Sequence, residues 1–230
     1  MAEPQPILKI QDLNYYFGSE NLRRQVLCNI YLQIMPGEIL IMTGPSGSGK
    51  TTLLTLIGGL RTFYEGSLQF LGQEMNNASE ESQTKVRRCI GYIFQHYNLL
   101  PFLTAQQNVR MALELQEQLS PSQLLEESKK VLVSVGLGEF CDTYPHHLSG
   151  GQKQRVSIAR ALVSEPKLIL ADEPTAALDS KSGRAVVDLM RQLAQQKNCA
   201  ILIVTHDHRI LDLADRRFHV EDGYLSEEAR

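Results

Sequence analysis

The 230-residue sequence lacks the features that mark membrane-spanning and secreted chains. No stretch approaches the roughly 18 consecutive apolar residues that a membrane-spanning helix needs. The N-terminus, MAEPQPILKI, has neither a basic segment nor a long apolar run, so we do not expect a secretory signal peptide. We therefore expect a chain that is soluble, or that reaches a membrane only by docking on a partner that spans it.

Cysteine is scarce, and its spacing is uninformative. Cys28, Cys89, Cys141 and Cys199 form no C-x-x-C pair, which argues against a zinc module and favours free thiols in a reducing compartment. The sequence also lacks internal repeats, low-complexity tracts and sustained heptads. A net charge of −3 argues weakly against nucleic acid as the main partner, and 43% hydrophobic residues predict a substantial core.

Short apolar runs predict an α/β core. Residues 7–42 are predicted to form strands. Further apolar strands are predicted at Glu38–Thr43, Glu65–Gly72, Lys167–Ala171 and Ala200–Thr205. Leu, Ile and Val dominate the last two runs, a composition typical of buried parallel strands. Helices are predicted at Lys50–Leu60 and Lys181–Gln196, so strands and helices alternate.

The middle of the chain has helical periodicity instead. Thr104–Gln118 carries one apolar stripe, and a second helix begins at Ser120 with the pattern of a capping box. We therefore predict a single domain that comprises all 230 residues. Its α/β core would occupy about 1–95 and 165–230, and a helical subdomain would occupy about 96–164.

A glycine-rich loop, GPSGSGKT, follows the strand at Glu38–Thr43 and precedes a predicted helix. It matches the pattern G-x-x-x-x-G-K-[ST], in which backbone amides surround phosphate oxygens. Lys50 would place its charge on the β- and γ-phosphates, Thr51 would offer a hydroxyl to Mg²⁺, and Thr52 would add a donor. The residues expected to bind nucleotide here are Gly44, Pro45, Ser46, Gly47, Ser48, Gly49, Lys50, Thr51 and Thr52.

Two carboxylates end the later strand that reads LILADE. We expect Asp172 to hold Mg²⁺ and Glu173 to orient or deprotonate an attacking water. A lone Asp-Glu pair would more often be a solvated turn, but the apolar run before it and the glycine-rich loop favour catalysis. His206 follows the strand AILIVT at the same expected edge of the sheet. It is either structural or a polar contact to the γ-phosphate.

A second anion-binding element occurs in HHLSGGQKQR, at His146–Arg155. A serine and two glycines at the start of a helix leave backbone amides open to an anion. One ATP has one γ-phosphate, which the first loop already approaches, so we expect this element to serve the ATP of a second chain. Two identical chains arranged head to tail about a twofold axis would form two shared sites, with ATP holding the dimer together.

Together these motifs resemble the nucleotide-binding subunit of an ABC transporter, and the resemblance covers nearly the whole chain. LSGGQ at Leu148–Gln152 is similar to the family signature, GPSGSGKT to Walker A, and LILADE to Walker B with its catalytic glutamate. Gln95 matches the Q-loop, Ala177-Leu178-Asp179 the D-loop, and His206 the switch histidine.

The resemblance implies a fold, a set of cofactors and a set of roles. The fold is α/β, a P-loop (RecA-like) core with an antiparallel β subdomain and an inserted α-helical subdomain, and the cofactors are ATP and Mg²⁺. The implied catalytic residues are Glu173, His206 and Gln95. The implied Mg²⁺ ligands are Thr51, Gln95 and Asp172. Nucleotide contacts beyond the glycine-rich loop are implied for Ser149, Gly150, Gly151, Gln152 and Asp179.

The family also stacks an aromatic ring on adenine, upstream of Walker A. Tyr15, Tyr16 and Phe17, in YYFG, are the candidates. Phe17 directly precedes the glycine, so we expect it to stack on adenine, with Tyr16 as the second choice. The alternative is that this aromatic belongs to the core, as strand aromatics often do.

Within the family, the chain looks most like the MacB and LolD ATPases. ADEPTAALDSKSG, with its Ala176-Ala177 pair, and the ending EDGYL resemble the DevA-type ATPases of cyanobacterial glycolipid exporters. This implies a peripheral subunit on the cytoplasmic face of the inner membrane. It would drive export of a lipid, glycolipid or other hydrophobic substrate through a separate permease, with a membrane-fusion protein and an outer-membrane channel. We expect the apolar loop Tyr97–Leu103 to contribute both to the core and to a groove for a permease helix.

Two other classes remain as alternatives. A non-transport ABC ATPase would act in DNA repair or on ribosomes, but repair members usually carry coiled coils or zinc modules and ribosomal members normally fuse two such domains. A P-loop kinase or metabolic ATPase would leave LSGGQ unexplained. We therefore expect a transporter subunit with no nucleic acid partner.

Overall fold

The computed structural model of the protein describes residues 5–18, 22–114 and 119–228. The strands are β1 (Leu8–Phe17), β2 (Arg24–Ile34), β3 (Ile39–Thr43), β4 (Glu65–Phe70), β5 (Gln73–Glu74), β6 (Ile90–Ile93), β7 (Leu168–Asp172), β8 (Ala200–Val204), β9 (Arg216–Glu221) and β10 (Tyr224–Glu228). The helices are α1 (Lys50–Ile57), α2 (Glu80–Arg88), α3 (Ala105–Leu113), α4 (Pro121–Ser134), α5 (Gly150–Leu162) and α6 (Ser180–Gln196).

Within these residues the strands form two sheets. The first, in the order β2-β1-β4-β5, is antiparallel throughout. The second, in the order β10-β9-β3-β8-β7-β6, is parallel except for β10, which pairs antiparallel with β9. This confirms the predicted α/β class, with an antiparallel part beside a parallel core.

The parallel sheet is buried on both faces, which explains its continuous apolar strands. In β3, Ile39 and Ile41 pack into one hydrophobic cluster, while Leu40 and Met42 pack into another on the opposite face. Successive strand residues point to opposite faces, so a single apolar run fills two cores. One core also holds α1 and the antiparallel sheet, and the other holds α6.

Helices α3, α4 and α5 follow one another between β6 and β7, as the helical periodicity predicted. They have no separate core, because Val109, Leu132 and Val156 belong to the same cluster as Ile41 and Ile203 of the parallel sheet. The division into a core at 1–95 and 165–230 and a subdomain at 96–164 stays a prediction. No helix in the described part of the chain is long and apolar enough to cross a membrane.

Several predicted boundaries differ from the structure. Helix α1 ends at Ile57 rather than Leu60, because Gly58 caps it and Gly59 turns the chain with a φ of 64°. Helix α3 begins after a capping box at Thr104 and ends at Leu113. Residues 115–118 of that predicted helix lie outside the described residues, as do residues 1–4 of the N-terminus that was inspected for a signal peptide.

Five elements were missed by the sequence patterns, and one of them, β5, has only two residues. Helix α2 buries only Val86, so it has almost no apolar stripe to detect. Strand β6 is only four residues long. In β9, Phe218 and Val220 are buried between charged neighbours, and β10 is largely exposed, so this hairpin carries only a weak alternation.

Candidate nucleotide-binding site

The largest group of predicted site residues surrounds one open cavity of about 730 Å³ at the C-terminal edge of β3, β7 and β8. Ligands of parallel α/β sheets bind at this edge, where the strand ends meet the helix starts. The predicted residues that line the cavity are Ser46, Gly47, Gly49, Lys50, Thr51, Thr52, Gln95, Asp172, Glu173 and His206. They come from four separate parts of the sequence, which the sheet order brings together.

The loop between β3 and α1 depends on glycine where the chain turns most tightly. A Cβ added to Gly44, which has a φ of 135°, would lie 2.0 Å from the carbonyl oxygen of Val220. A Cβ on Gly49, with a φ of 109°, would lie 2.9 Å from the carbonyl oxygen of Val26. A side chain at either position would force this loop away from β9 or β2, so the wrapped shape requires both glycines.

The loop leaves polar groups that fit a phosphate ligand. Nζ of Lys50 donates to the carbonyl oxygens of Gly44 and Pro45, both at 2.7 Å, so it lies inside the loop. Burial lowers the pKa of Lys50, while the nearby carboxylates of Glu173 and Asp172 oppose that shift. Among the described residues, the buried hydroxyl of Ser48 has no hydrogen-bond partner. Phosphate oxygens would supply partners for both groups.

Asp172, at the end of β7, provides a carboxylate beside the start of α1. Burial raises its pKa, while a hydrogen bond from the Thr51 hydroxyl and the charge of Lys50 lower it. Gln95 follows β6, which pairs with β7 on the side away from β8, and it lines the same cavity. A carboxylate, a hydroxyl and an amide oxygen are the oxygen ligands that Mg²⁺ accepts together with phosphate, so these residues fit a magnesium site.

Glu173 follows immediately and turns out of the strand with a φ of 48°. Its Oε2 accepts hydrogen bonds from the Thr205 hydroxyl at 3.3 Å and from the backbone amide of His206 at 3.2 Å. Nε2 of His206 lies 3.4 Å from Oε1 of the same carboxylate. Only 15% of the Glu173 side chain is exposed, against 52% for His206, so the carboxylate is largely enclosed while the ring is open to solvent.

Beside Glu173 and His206 lies a second polar group, formed by Asp207 and its partners, which the sequence reasoning missed. Asp207 accepts from the Thr175 hydroxyl at 3.0 Å and from the Arg209 guanidinium at 2.6 and 2.7 Å. These bonds, those from Arg209 above all, lower the pKa of Asp207 to about 2. Arg209 also donates to Ser180 at the start of α6. The only sequence signal was position, because Thr175 and Asp207 lie just beyond the same two strand ends as Glu173 and His206.

The predicted adenine-stacking residue lies away from these groups. Phe17 ends β1, is 38% exposed, and contacts the Tyr15 ring edge-on at 5.2 Å. The Arg61 guanidinium lies 5.1 Å from its ring centre, whereas Tyr16 is covered by Arg23 at 3.7 Å. The role of Phe17 in stacking on adenine stays a prediction.

The LSGGQ segment does not reach the cavity. Ser149 is the N-cap of α5: its hydroxyl accepts from the Gln152 amide at 3.2 Å, and Oε1 of Gln152 accepts from the Ser149 amide at 2.8 Å. Gly150 and Gly151 form the first turn, and none of these four residues is among the described residues that line the cavity. Asp179 likewise lies outside the lining, where it caps α6 by accepting from the amides of Lys181 and Ser182.

The sequence profile of the ABC transporter family matches residues 27–176 of this chain. The chain belongs to the ABC transporter family. ABC proteins of this kind are ATPases whose hydrolysis is coupled to transport, and their cofactors are ATP and Mg²⁺. The predicted fold, enzyme class and cofactors are therefore confirmed at the level of the family.

Two ABC relatives define the subfamily. The lipoprotein-releasing system ATP-binding protein LolD of Shewanella frigidimarina is 40% identical over 222 residues, which cover 96% of this chain and 92% of LolD. The macrolide export ATP-binding/permease protein MacB of Marinobacter nauticus is 40% identical over 226 residues, which cover 98% of this chain but 35% of MacB. The chain thus spans about a third of the MacB relative. The predicted MacB/LolD-like subfamily is confirmed, and the closer likeness to DevA stays a prediction.

A solved ABC structure agrees with the fold over nearly the full length. It is the dimeric post-hydrolysis state of the ATP-binding cassette MJ0796 bound to ADP and Pi. The TM-score is 0.88 at 36% identity, and the match covers 96% of this chain and 97% of that one. The P-loop fold predicted from the sequence is therefore the fold of this ABC chain.

Proposed function

We propose that this chain is the ATP-hydrolysing subunit of an exporter and that it acts as a homodimer with ATP sandwiched between the two chains. The observation that carries this proposal is the position of the signature segment at Leu148–Gln152. It lies outside the cavity that the chain's own glycine-rich loop lines, and Ser149 is exposed. A helix N-terminus carries partial positive charge and free amides, which suit a phosphate presented by a second chain.

On the first side of each shared site, the glycine-rich loop holds the phosphates and Lys50 donates to them. Thr51, Gln95 and Asp172 would hold Mg²⁺, which when bound neutralises charge on the β- and γ-phosphates. Phe17 would stack on the adenine ring. In this arrangement the γ-phosphate would lie near Glu173, at the end of the cavity where β7 and β8 meet.

The proposed chemistry of hydrolysis belongs to Glu173 and His206. Glu173 would orient the attacking water and accept its proton, since its Oε2 is already held by two donors and its Oε1 faces the His206 ring. His206 would donate to the γ-phosphate from the exposed side of that pair. Asp179, at the start of α6, would complete the contact with the opposed chain.

On the second side, the opposed chain would contribute Ser149, Gly150, Gly151 and Gln152. The Ser149 hydroxyl accepts from the Gln152 amide, and its own proton remains available for a phosphate oxygen. Hydrolysis would remove the γ-phosphate that both chains share, and the dimer would open. Opening of the dimer is a change in structure that a bound membrane partner could respond to.

The transport role is inferred from the relatives. LolD is named for lipoprotein release and MacB for macrolide export and a fused permease. Because the match covers 92% of LolD, which is named as the ATP-binding protein of its system, we propose that separate permease subunits recruit this chain to the cytoplasmic face of the inner membrane. We further propose that the cargo is a lipid, a glycolipid or another hydrophobic substrate. The wider complex would be a DevA-type assembly with a membrane-fusion protein and an outer-membrane channel. The proposal includes no nucleic acid partner.

A mixing experiment tests the shared site. One chain carries Lys50→Ala with an intact signature, and the other carries Gly151→Asp with an intact glycine-rich loop, both in a Glu173→Gln background that slows hydrolysis. Lys50→Ala should weaken phosphate binding, and Gly151→Asp should repel the opposed phosphate. Each alone should fail to form an ATP-dependent dimer, whereas the mixture contains one fully intact site.

The measurement is ATP-dependent capture of one tagged chain by the other. We expect recovery of association in the mixture only. If each chain used its own signature segment, no intact site could arise, and the mixture would be as inert as either parent. That outcome would rule out the shared site.

A further inference from the structure

The segment after β8 carries an ion pair to which the proposed chemistry gives no role. The guanidinium of Arg209 donates to both carboxylate oxygens of Asp207, from Nε at 2.6 Å and from Nη2 at 2.7 Å. Paired hydrogen bonds of this planar kind are among the strongest that an arginine makes with a carboxylate. Only 12% of the Asp207 side chain is exposed, against 48% for Arg209. The acid is therefore largely enclosed, and the arginine covers it from the solvent side.

Asp207 joins the two loops that follow β7 and β8. Its Oδ2 accepts from the hydroxyl of Thr175, a buried residue after β7, at 3.0 Å. Its backbone amide donates to the Thr205 hydroxyl at 3.0 Å, and that hydroxyl donates to Glu173 at 3.3 Å. The segment that carries His206 is thus bound to Glu173 through Thr205 and to the loop after β7 through the Asp207 side chain. An ionised acceptor is useful at this position, but it adds a negative charge to the cavity.

Helix α6 holds Arg209 in place. Its Nη1 donates to the hydroxyl of Ser180, the first residue of α6. The carbonyl oxygen of Arg209 accepts from Arg184, about one turn further along the helix, at 3.2 Å. Arg184 is itself paired with Asp212 at 2.8 and 2.9 Å. These contacts fix both the backbone and the side chain of Arg209 against α6, so its guanidinium is directed at Asp207.

The charges that line the cavity show why this pairing matters. Among the described residues, the titratable side chains of the lining are three carboxylates, one lysine, one arginine and one imidazole, at Asp172, Glu173, Asp207, Lys50, Arg209 and His206. In the proposed function Lys50 serves the phosphates, Asp172 serves Mg²⁺ and Glu173 serves the attacking water. Asp207 has no such role, and an unpaired carboxylate in a partly enclosed cavity would repel the γ-phosphate.

We propose that Arg209 is a positioning residue that lets the cavity prefer ATP over ADP. By pairing with Asp207 it cancels the charge of that acid, which can then hold the His206 segment in place without repelling the γ-phosphate. This rests on the proposed function, in which the γ-phosphate lies at the Glu173 end of the cavity. ADP has no phosphate at that position, so the effect of Arg209 falls on ATP.

Loss of either partner should therefore change ATP binding, with opposite signs. Without Arg209, the Asp207 carboxylate is enclosed and unpaired, and it repels the γ-phosphate. Without the acid, Arg209 is an uncompensated cation that attracts the same phosphate. If both charges are removed, the pair is neutral again, as it is in the parent.

The test compares ATP and ADP binding by three variants of the full chain, in the Glu173→Gln background that slows hydrolysis. Arg209→Gln removes the cation, Asp207→Asn removes the acid, and the double variant removes both. Fluorescence titrations with mant-ATP or mant-ADP and Mg²⁺, on protein too dilute to dimerise, give two dissociation constants. Their ratio measures the preference for ATP. A defect that only loosens the fold weakens both nucleotides together and leaves this ratio unchanged.

We expect Arg209→Gln to weaken ATP binding by about fivefold or more, while ADP binding stays within about twofold of the parent. Asp207→Asn should instead increase the preference for ATP. The double variant should return the preference to within about twofold of the parent, because the two changes of charge cancel.

Arg216 provides a matched control. It pairs with Glu227 in the same planar geometry, from Nε at 2.7 Å and Nη2 at 2.8 Å, and neither residue borders the nucleotide cavity. Arg216→Gln should leave the preference for ATP unchanged even if it lowers the melting temperature. Thermal unfolding of every variant identifies a loss of folding. If Arg209→Gln does not fold, Asp207→Asn decides, and an unchanged or lowered preference for ATP would overturn the proposal.

The outcomes also separate this inference from the function on which it rests. If the parent binds ATP and Arg209→Gln either has no effect or weakens ATP and ADP equally, the role of Arg209 is refuted and the proposed function stands. A double variant that does not recover the preference for ATP has the same meaning. If the parent itself binds no ATP, both fail together.

Discussion

At the scale of single residues, Glu173 is where backbone conformation and chemistry meet. Its φ of 48° turns the side chain out of β7, and the Thr205 hydroxyl and His206 amide hold one carboxylate oxygen. Non-glycine residues are uncommon in this region and are often found at functional sites. The conformation places a carboxylate where β7 and β8 end, a position that an ordinary strand residue would not occupy.

Replacing this carboxylate should separate binding from hydrolysis. Glu173→Gln keeps the shape of the side chain but removes the base, so ATP affinity should be retained while the hydrolysis rate falls by about 10²–10⁴-fold. Steady-state ATPase assays and equilibrium ATP binding measure the two quantities. Glu165→Gln is the matched control, because Glu165 also has a positive φ, of 52°, but pairs with Lys197 at 2.8 Å instead of lining the cavity. Near-normal ATPase activity in Glu173→Gln would remove Glu173 from its role.

At the scale of secondary-structure elements, α4 and α5 begin in the same way. Each has a serine N-cap and a glutamine at the third helical position that together complete a capping box, at Ser120 and at Ser149. Aspartate is as good an N-cap as serine, and its charge suits the helix dipole. The two helix starts therefore form a natural pair in which only one is proposed to meet a phosphate.

Ser149→Asp should preserve folding and abolish ATP-dependent dimerisation. The new carboxylate would still cap α5, so the free energy of unfolding should stay within about 1 kcal/mol of the parent. It would repel the γ-phosphate of the opposed chain. Ser120→Asp should be as stable and should dimerise normally. Chemical denaturation and light scattering of the ATP-bound Glu173→Gln background measure these effects, and normal dimerisation by Ser149→Asp would contradict the proposed role of α5.

The loop between β6 and α3 divides its apolar residues between core and surface. Leu99 packs against the cluster that α3 and α5 share, whereas Phe102 is 69% exposed. Phe102→Ser should therefore leave folding and basal ATPase intact while reducing permease binding and permease-stimulated ATPase. Tyr224→Ser, at another exposed aromatic residue, is the control. Unchanged permease pull-down and stimulation by Phe102→Ser would place the docking surface elsewhere.

At the scale of the whole molecule, the open cavity and the signature segment are separate features of one chain. In the proposed function, a chain built in this way completes its site only with a second copy, and the γ-phosphate is the group that both copies would bind. The Glu173→Gln protein should therefore be monomeric with ADP and dimeric with ATP and Mg²⁺. Size-exclusion chromatography with light scattering distinguishes the two states. Equal dimerisation with ADP alone would show that the γ-phosphate does not hold the chains together.

The sequence by itself determined the short-range features. GPSGSGKT, LILADE and LSGGQ each occupy a few consecutive residues, and their effects are local: a loop that wraps inward, a carboxylate at a strand end, and a capped helix start. The continuous apolar runs of β3, β7 and β8 were recognisable because burial on both faces leaves no polar alternation. Helix α2 and the β9–β10 hairpin were missed because they bury few side chains and so carry little hydrophobic period.

Only the tertiary structure decided which of these features meet. Glu173 and His206 are 33 residues apart, and they come within 3.4 Å because β7 pairs with β8. The hydrogen bond from Thr175 to Asp207, the hydrogen bonds from Arg160 to the carbonyl oxygens of Tyr97 and Asn98, and the position of Ser149 outside the cavity likewise depend on packing between distant segments. Strand order and helix placement are set by burial of whole faces against one another, and no local window of sequence contains that information.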